Sequence, residues 1–374
     1  MQAFNINIAQ PVLDNLMQKL QLLRWPDEVQ HAGWEYGTNL PYMQELTAYW
    51  QQQYNWRQQE AALNSFPHFK TSIDGKDIHF IYARGKGSHP VPIIITHGWP
   101  GSFYELLKII PLLTDGTDLC FDVIIPSIPG FGFSARPQEP GWTLEKTAHL
   151  WHKLMTSVLG YSRYAASGTD FGSGITRYLA LHYPQQLSGI YLSYVGFPDF
   201  NADQSDLTPA EQAYLKERQQ WMMREGGYAM IQSTKPQTLS YALNDSPLGL
   251  AAWLIEKFQS LSDCNGAIET RFTKDELLTN IMIYWVTQTI PSSIRTYYEN
   301  ARIPPPLKKG ERIEVPAGIS LFKGNKPPIE WVERSLNVQH WTDMPRGGHF
   351  AAMEEPELLA ADMQLFFQAL KNEG

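Results

Sequence analysis

Five residues, Gly168-Thr169-Asp170-Phe171-Gly172, constrain this chain more than any other stretch. A run of small residues, Tyr164-Ala-Ala-Ser-Gly168, reads as a strand leading in, and an amphipathic run, Ile175 to Tyr183, reads as a helix leading out. Small-x-Asp-x-small between strand and helix is the pattern of a nucleophile elbow, a turn sharp enough to hold one side chain exposed and strained. A Cβ at either flank would clash, hence the glycines. The elbow residue is usually Ser. Here it is Asp170, and that decides the chemistry. A carboxylate is already charged at neutral pH, so it can attack an alkyl carbon and form an ester with no base to activate it.

The flanking sequence frames that turn. Val91 to Thr96 is a continuous apolar run, as in a buried parallel strand, and the helix Phe103 to Leu113 follows. Next come a strand at Phe121 to Pro126, a helix at Leu144 to Leu159, the elbow, and a strand at Gly189 to Val195. Repeated βα units predict the α/β class, with a mostly parallel, doubly wound sheet. Before them, Phe69 to Arg84 alternates around Asp74-Gly75, which reads as a hairpin. Residues 1–70 read as an N-terminal helical clasp, with helices at Pro11 to Leu23 and Tyr42 to Asn64.

After Pro198 the βα rhythm stops. Residues 199–310 read as helical, with a capping box at Thr208-Pro-Ala-Glu211 and further helices at Leu248 to Leu261 and Glu276 to Gln288. An insert of this kind after a central strand predicts a lid over the strands' C-terminal ends, with Arg302 to Leu307 as its rigid exit. Strands at Gly318 to Phe322 and Val338 to Met344, then a helix at Glu357 to Leu370, resume the pattern. The core is therefore expected to span 71–198 and 311–374.

Composition removes several functions. A formal charge of -8 argues against nucleic acid as a partner. Cys120 and Cys264 form neither a metal spacing nor a disulfide framework, which fits a reducing, cytoplasmic compartment. No signal peptide and no apolar run of membrane-spanning length is evident, so no membrane anchor is expected. Twelve Trp and eighteen Tyr suit an aromatic-lined cavity. The oligomeric state is left open, a homodimer included.

Three loops fall at strand C-terminal ends, where open α/β sheets place their sites. They carry His97-Gly98-Trp99-Pro100, Asp170, and Arg346-Gly-Gly-His349-Phe350. Oxyanion loop, nucleophile, histidine is the order of an α/β-hydrolase. Together, His97-Gly-Trp-Pro-Gly-Ser102, Pro126-Ser-Ile-Pro-Gly-Phe-Gly-Phe-Ser134, Gly168-Thr-Asp-Phe-Gly172 and Pro345-Arg-Gly-Gly-His-Phe-Ala-Ala352 resemble the epoxide hydrolases of the microsomal type. The first seventy residues, including Trp25-Pro-Asp-Glu28, resemble that family's N-terminal region, without its hydrophobic anchor.

The resemblance implies the α/β-hydrolase fold and hydrolysis of a small apolar epoxide to a vicinal diol, with no cofactor and no metal. It implies that Asp170 opens the epoxide, that the N–H groups of Trp99 and Phe171 form an oxyanion hole, and that His349 activates the water that frees the product. Tyr228 and Tyr297 match the family's two lid tyrosines, donors to the epoxide oxygen, with Tyr298 adjacent to the second. Trp99, Phe171 and Phe350 would contact substrate, while His97 would support loop shape. One position departs from the family. Asn325 falls where an acid usually orients the histidine; Asn can hold an imidazole ring but cannot balance its charge. Asp199 and Glu330 are candidate substitutes. Two other functions stay open. A haloalkane dehalogenase also uses an elbow Asp, but typically follows it with Trp, where this chain has Phe171. A slow or inactive ligand-binding relative would explain Asn325.

Overall fold

The computed structural model describes residues 1–116, 119–195, 206–308, 310–324 and 326–373. Among them, nine strands form one sheet: β1 (Gln2–Ala3), β2 (His68–Ile73), β3 (Lys76–Ala83), β4 (Val91–Thr96), β5 (Phe121–Pro126), β6 (Tyr164–Gly168), β7 (Leu187–Leu192), β8 (Ile313–Leu321) and β9 (Leu336–Asp343). Their spatial order is β1-β2-β3-β5-β4-β6-β7-β8-β9. Strands β1, β2, β3 and β5 pair antiparallel, and every pair from β5 to β9 is parallel.

The central strands are apolar because both of their faces are covered. Ile93, Ile94, Ala165, Ala166, Ile190 and Ala317 are wholly buried. Each large side chain so buried stabilises the fold by about 1.5–3 kcal/mol. The helices α1 (Gln10–Gln21), α2 (Leu40–Gln52) and α3 (Trp56–Leu63) precede β2. Then α4 (Ile109–Thr114), α5 (Leu144–Lys153) and α6 (Phe171–His182) alternate with strands. Between β7 and β8 lie α7 (Pro209–Glu225), α8 (Gly227–Thr234), α9 (Pro236–Asp245), α10 (Pro247–Leu261), α11 (Lys274–Thr287) and α12 (Ile290–Asn300). The last three are α13 (Ile329–Glu333), α14 (Ala351–Glu354) and α15 (Pro356–Glu373).

The N-terminal helices bind to that helical insertion. Lys19 Nζ donates to Asp245 Oδ1 at 2.6 Å, Thr38 Oγ1 to the Ala252 carbonyl at 2.8 Å, and Tyr49 OH to Asp275 Oδ1 at 2.9 Å. Tyr54 OH meets Thr279 Oγ1 at 3.1 Å, and Lys274 pairs with Glu45 at 2.9 Å.

Several boundaries differ from the sequence expectation. The helix expected over Tyr42 to Asn64 breaks into α2 and α3, because the Asn55 side chain accepts the Gln58 N–H and caps a new start. The helix expected over Phe103 to Leu113 opens as a 3-10 turn, Phe103–Leu106, with Ser102 as its cap, before α4. The run Leu144 to Leu159 ends in a π-helical turn, Leu154–Val158. Strand β7 begins and ends earlier than Gly189 to Val195, and β1 was not foreseen. No described helix is long and apolar enough to cross a membrane.

Candidate active site

Strands β4 and β6 lie side by side at the centre of the sheet, with Thr96 in register with Gly168. The chain runs from β4 to β5 on one side and then crosses back to β6 on the other. A crevice at such a switch point, outside the strands' C-terminal ends, is where α/β folds bind ligands. The loops from His97 and from Thr169 both start there.

Asp170 has φ 49° and ψ −120°, a conformation a non-glycine residue adopts only when its surroundings impose it. The surroundings are tight. A Cβ on Gly172 would stand 1.9 Å from the Thr96 carbonyl oxygen, and one on Gly168 2.2 Å from the backbone of Gly172. A Cβ on Gly98 would stand 2.3 Å from that of Asp170. Only glycine fits at all three.

The Asp170 carboxylate accepts the Trp99 N–H at Oδ1, 2.9 Å, and the Phe171 N–H at the start of α6 also favours its charged form. Two convergent backbone donors suit an oxygen on which charge develops. Helix α11 fixes the first of them. Asn280 Nδ2 donates to the Pro100 carbonyl at 2.9 Å, Ser102 Oγ donates to Asn280 Oδ1 at 2.9 Å, and Tyr284 OH donates to the Gly101 carbonyl at 2.6 Å. His97 is buried and braces the same loop. Its Nδ1 donates to the Gly98 carbonyl at 3.1 Å, its Nε2 accepts the Ile128 N–H at 3.2 Å, and burial lowers its pKa to about 4.

His349 faces the nucleophile, its Nε2 lying 3.8 Å from Asp170 Oδ2. Both side chains are 13% exposed, enough for contact with a small reactant and little else. Burial lowers the pKa of His349, against the opposing pull of Asp170, so the imidazole is neutral at neutral pH. Burial raises the pKa of Asp170, against His349 and the N–H groups of Trp99 and Phe171. The His349 loop is held from below by Glu354. Its carboxylate accepts the N–H groups of Gly348 at 2.9 Å, Phe350 at 3.0 Å and Asp263 at 2.8 Å. Gly347 has φ 96° at that bend.

Tyr228 on α8 and Tyr297 on α12 come down from the helical insertion onto Trp99. Tyr228 stacks on it at 5.4 Å between ring centres, and Tyr297 meets it edge-on at 5.6 Å. Tyr297 also packs on Phe171 at 4.8 Å and meets Tyr228 edge-on at 6.0 Å. Burial first, then the Asp170 charge and neighbouring phenols, raise both pKa values, which keeps both O–H groups protonated. Of the adjacent pair, Tyr297 is the inward one. Tyr298 is 36% exposed, with the Arg302 guanidinium 3.5 Å from its ring centre.

Phe350 does not join that group. Its ring contacts are Phe258 at 4.1 Å, Phe272 at 5.9 Å and His349 at 5.1 Å, and with His349 it lines a small cavity to which neither tyrosine contributes. Asn325 and Asp199 lie outside the described residues. Glu330 is engaged elsewhere: it accepts from Thr208 Oγ1 at 3.3 Å. Among the described residues, no carboxylate other than Asp170 lies within ion-pair reach of the His349 ring. Two residues at the site were not foreseen. Tyr194, just after β7, meets the His349 ring edge-on at 5.5 Å. The other is Glu354, whose five-residue distance from His349 within Phe350-Ala-Ala-Met-Glu354 was a readable signal.

Residues 1–106 match the family described as epoxide hydrolase N terminus, and residues 91–225 match the α/β hydrolase fold. Epoxide hydrolase 1 of Sus scrofa is 37% identical to this chain, over 99% of it and 89% of the pig protein. The juvenile hormone epoxide hydrolase of the silkworm Bombyx mori superposes with a TM-score of 0.91 at 28% identity, over 99% of this chain and 95% of that one. The Aspergillus niger epoxide hydrolase superposes with a TM-score of 0.87 at 29% identity, over 99% and 96%.

Proposed function

The chain belongs to the epoxide hydrolase family and has the α/β-hydrolase fold, and from that premise we propose that Asp170 and His349 divide the reaction between them, with Tyr228 and Tyr297 serving the first half. In that half, Asp170 Oδ2 attacks an epoxide carbon and the C–O bond of the ring breaks. The freed oxygen takes a proton from the tyrosine pair, leaving a hydroxyalkyl ester on Asp170. In the second half, water gives a proton to His349 Nε2 and its oxygen attacks Asp170 Cγ. The tetrahedral oxyanion rests on the N–H groups of Trp99 and Phe171. It then collapses, the diol oxygen leaves with the proton from His349, and the water's remaining proton passes from the Asp170 carboxyl back to the phenolate, which restores both the carboxylate and the tyrosine pair. The net change is epoxide plus water to diol.

One observation carries these roles. The carboxylate at the strained elbow already holds the Trp99 N–H at 2.9 Å and stands 3.8 Å from a neutral imidazole, beneath two protonated phenols. The packed rings of Trp99, Tyr228 and Tyr297 favour a small apolar epoxide. A dehalogenase has no comparable support, since paired phenolic donors suit a ring oxygen rather than a departing halide. Two free buried cysteines suit the cytoplasm, and a homodimer is to be tested by light scattering. A single turnover in heavy-oxygen water tests the covalent route. The new oxygen of the first diol should come from the protein, and its arrival directly from solvent would refute the ester.

A further inference from the structure

One carboxyl group below the nucleophile takes no part in those steps. Glu105 lies in the 3-10 turn Phe103–Leu106 and is 4% exposed. Among the described residues no basic side chain pairs with it, and the hydrogen bond its side chain receives is a long one, from the Gly98 N–H to Oε1 at 3.4 Å. The chain makes room for it nonetheless: a Cβ on Gly101 would fall 1.6 Å from Glu105 Oε2. A buried polar group left without partners costs stability, so its retention asks for a use. Burial, then the Asp170 charge, raise its pKa well above the carboxylate range. As a neutral acid it offers one donor and one acceptor.

A cavity of about 20 Å³ opens beside it, with Thr169, Ser193 and His349 also in its wall. That is room for a single water, which needs polar partners around it. The Thr169 hydroxyl is sealed from solvent and has no hydrogen-bond partner. An unused acid, the residue that carries an orphan hydroxyl, and the proposed base thus line one water-sized space.

We propose that Glu105 and Thr169 hold one water against His349, and that this water is the nucleophile that releases the diol. The proposal rests on the two-step roles given to Asp170 and His349. The water donates one O–H to His349 Nε2 and the other to the Glu105 carbonyl oxygen. Its free lone pair forms the new bond to Asp170 Cγ while His349 takes the proton. Glu105 keeps its own proton throughout and acts as a positioning residue. What it supplies is orientation of the attacking oxygen, so that binding and aiming the water precede the chemical step.

The test follows alkylation and ester hydrolysis separately, by rapid quench and mass spectrometry of the Asp170 peptide. Glu105→Leu removes the water's anchor. Hydrolysis should slow by about 10- to 100-fold, alkylation should hold at the wild-type rate, and ester should accumulate. Glu105→Gln preserves shape, donor and acceptor and should restore most of the hydrolysis rate. Thr169→Val should slow hydrolysis in the same direction, and it decides the matter should Glu105→Leu fail to fold. A merely structural Glu105 would slow both steps alike with no rescue by Gln, and that result overturns the proposal. So does unchanged hydrolysis in a Leu variant that melts like wild type. Absence of any ester in the wild-type enzyme would instead refute the two-step roles themselves.

Discussion

Replacing His349 by Gln separates the two halves of the reaction more cleanly than any other change. The structure sets both magnitudes. His349 is neutral at rest and stands 3.8 Å from the carboxylate, so it offers Asp170 no more than a weak polar contact before reaction. Losing an uncharged contact costs about 1 kcal/mol, or at most about fivefold in alkylation. The second half loses its base. General base catalysis is worth about 100- to 10,000-fold, or about 2.7–5.4 kcal/mol, and Gln cannot accept a proton from water. The ratio of hydrolysis to alkylation should therefore fall by at least about 20-fold. Mixing His349→Gln with excess epoxide and quenching at intervals should show near-stoichiometric adduct on the peptide holding Asp170. A folded variant that forms no adduct, or that loses both steps equally, would refute the division of labour.

Three further outcomes are expected. Tyr228→Phe and Tyr297→Phe should each slow ring opening by about 100-fold, and the double variant should nearly stop it; alkylation at the wild-type rate in both would make the phenols packing alone. The pH profile should fall only on the acid side. Asp170 is active when ionised and its pKa is raised, so alkylation is lost as pH falls through a value above the ordinary carboxylate's. His349 is active when neutral and its pKa is lowered, so hydrolysis persists to a pH below an ordinary imidazole's. Single-turnover rates across pH check both: alkylation that persists down to an ordinary carboxylate's pKa, or hydrolysis lost at or above an ordinary imidazole's, would contradict the pair. Finally, Asn325→Glu should speed diol release with little effect on alkylation, read from the pre-steady-state burst.

The elbow was legible because its pattern is local: Gly168 is dictated by a 2.2 Å approach to the backbone of Gly172 four residues on, although Gly172 answers to Thr96 on β4, at 1.9 Å. The parallel strands were legible because burial on both faces leaves continuous apolar runs. What escaped depends on distant partners. Nothing next to Glu105 in sequence announces that its carboxylate fills the space left by Gly101, and nothing near Tyr194 says that it will meet a ring 155 positions later (194 to 349). Phe350, adjacent to His349, does line a small cavity with it, but nothing in the sequence shows that Phe258 and Phe272, contributed by the helical insertion, pack against its ring.

The bonds that tie α1–α3 to the insertion also bear on traffic. Swinging the helical insertion away as one unit would break the Lys19–Asp245, Thr38–Ala252, Tyr49–Asp275 and Tyr54–Thr279 pairs together. It would also pull Asn280 and Tyr284 off the loop that presents the Trp99 N–H, dismantling the oxyanion hole with each opening. A roof strapped across its back and pinned to the floor below resists hinging, since each opening would cost all of those bonds at once. Under a roof that stays shut, bulk away from the epoxide ring should cost arrival rate more than the chemistry that follows.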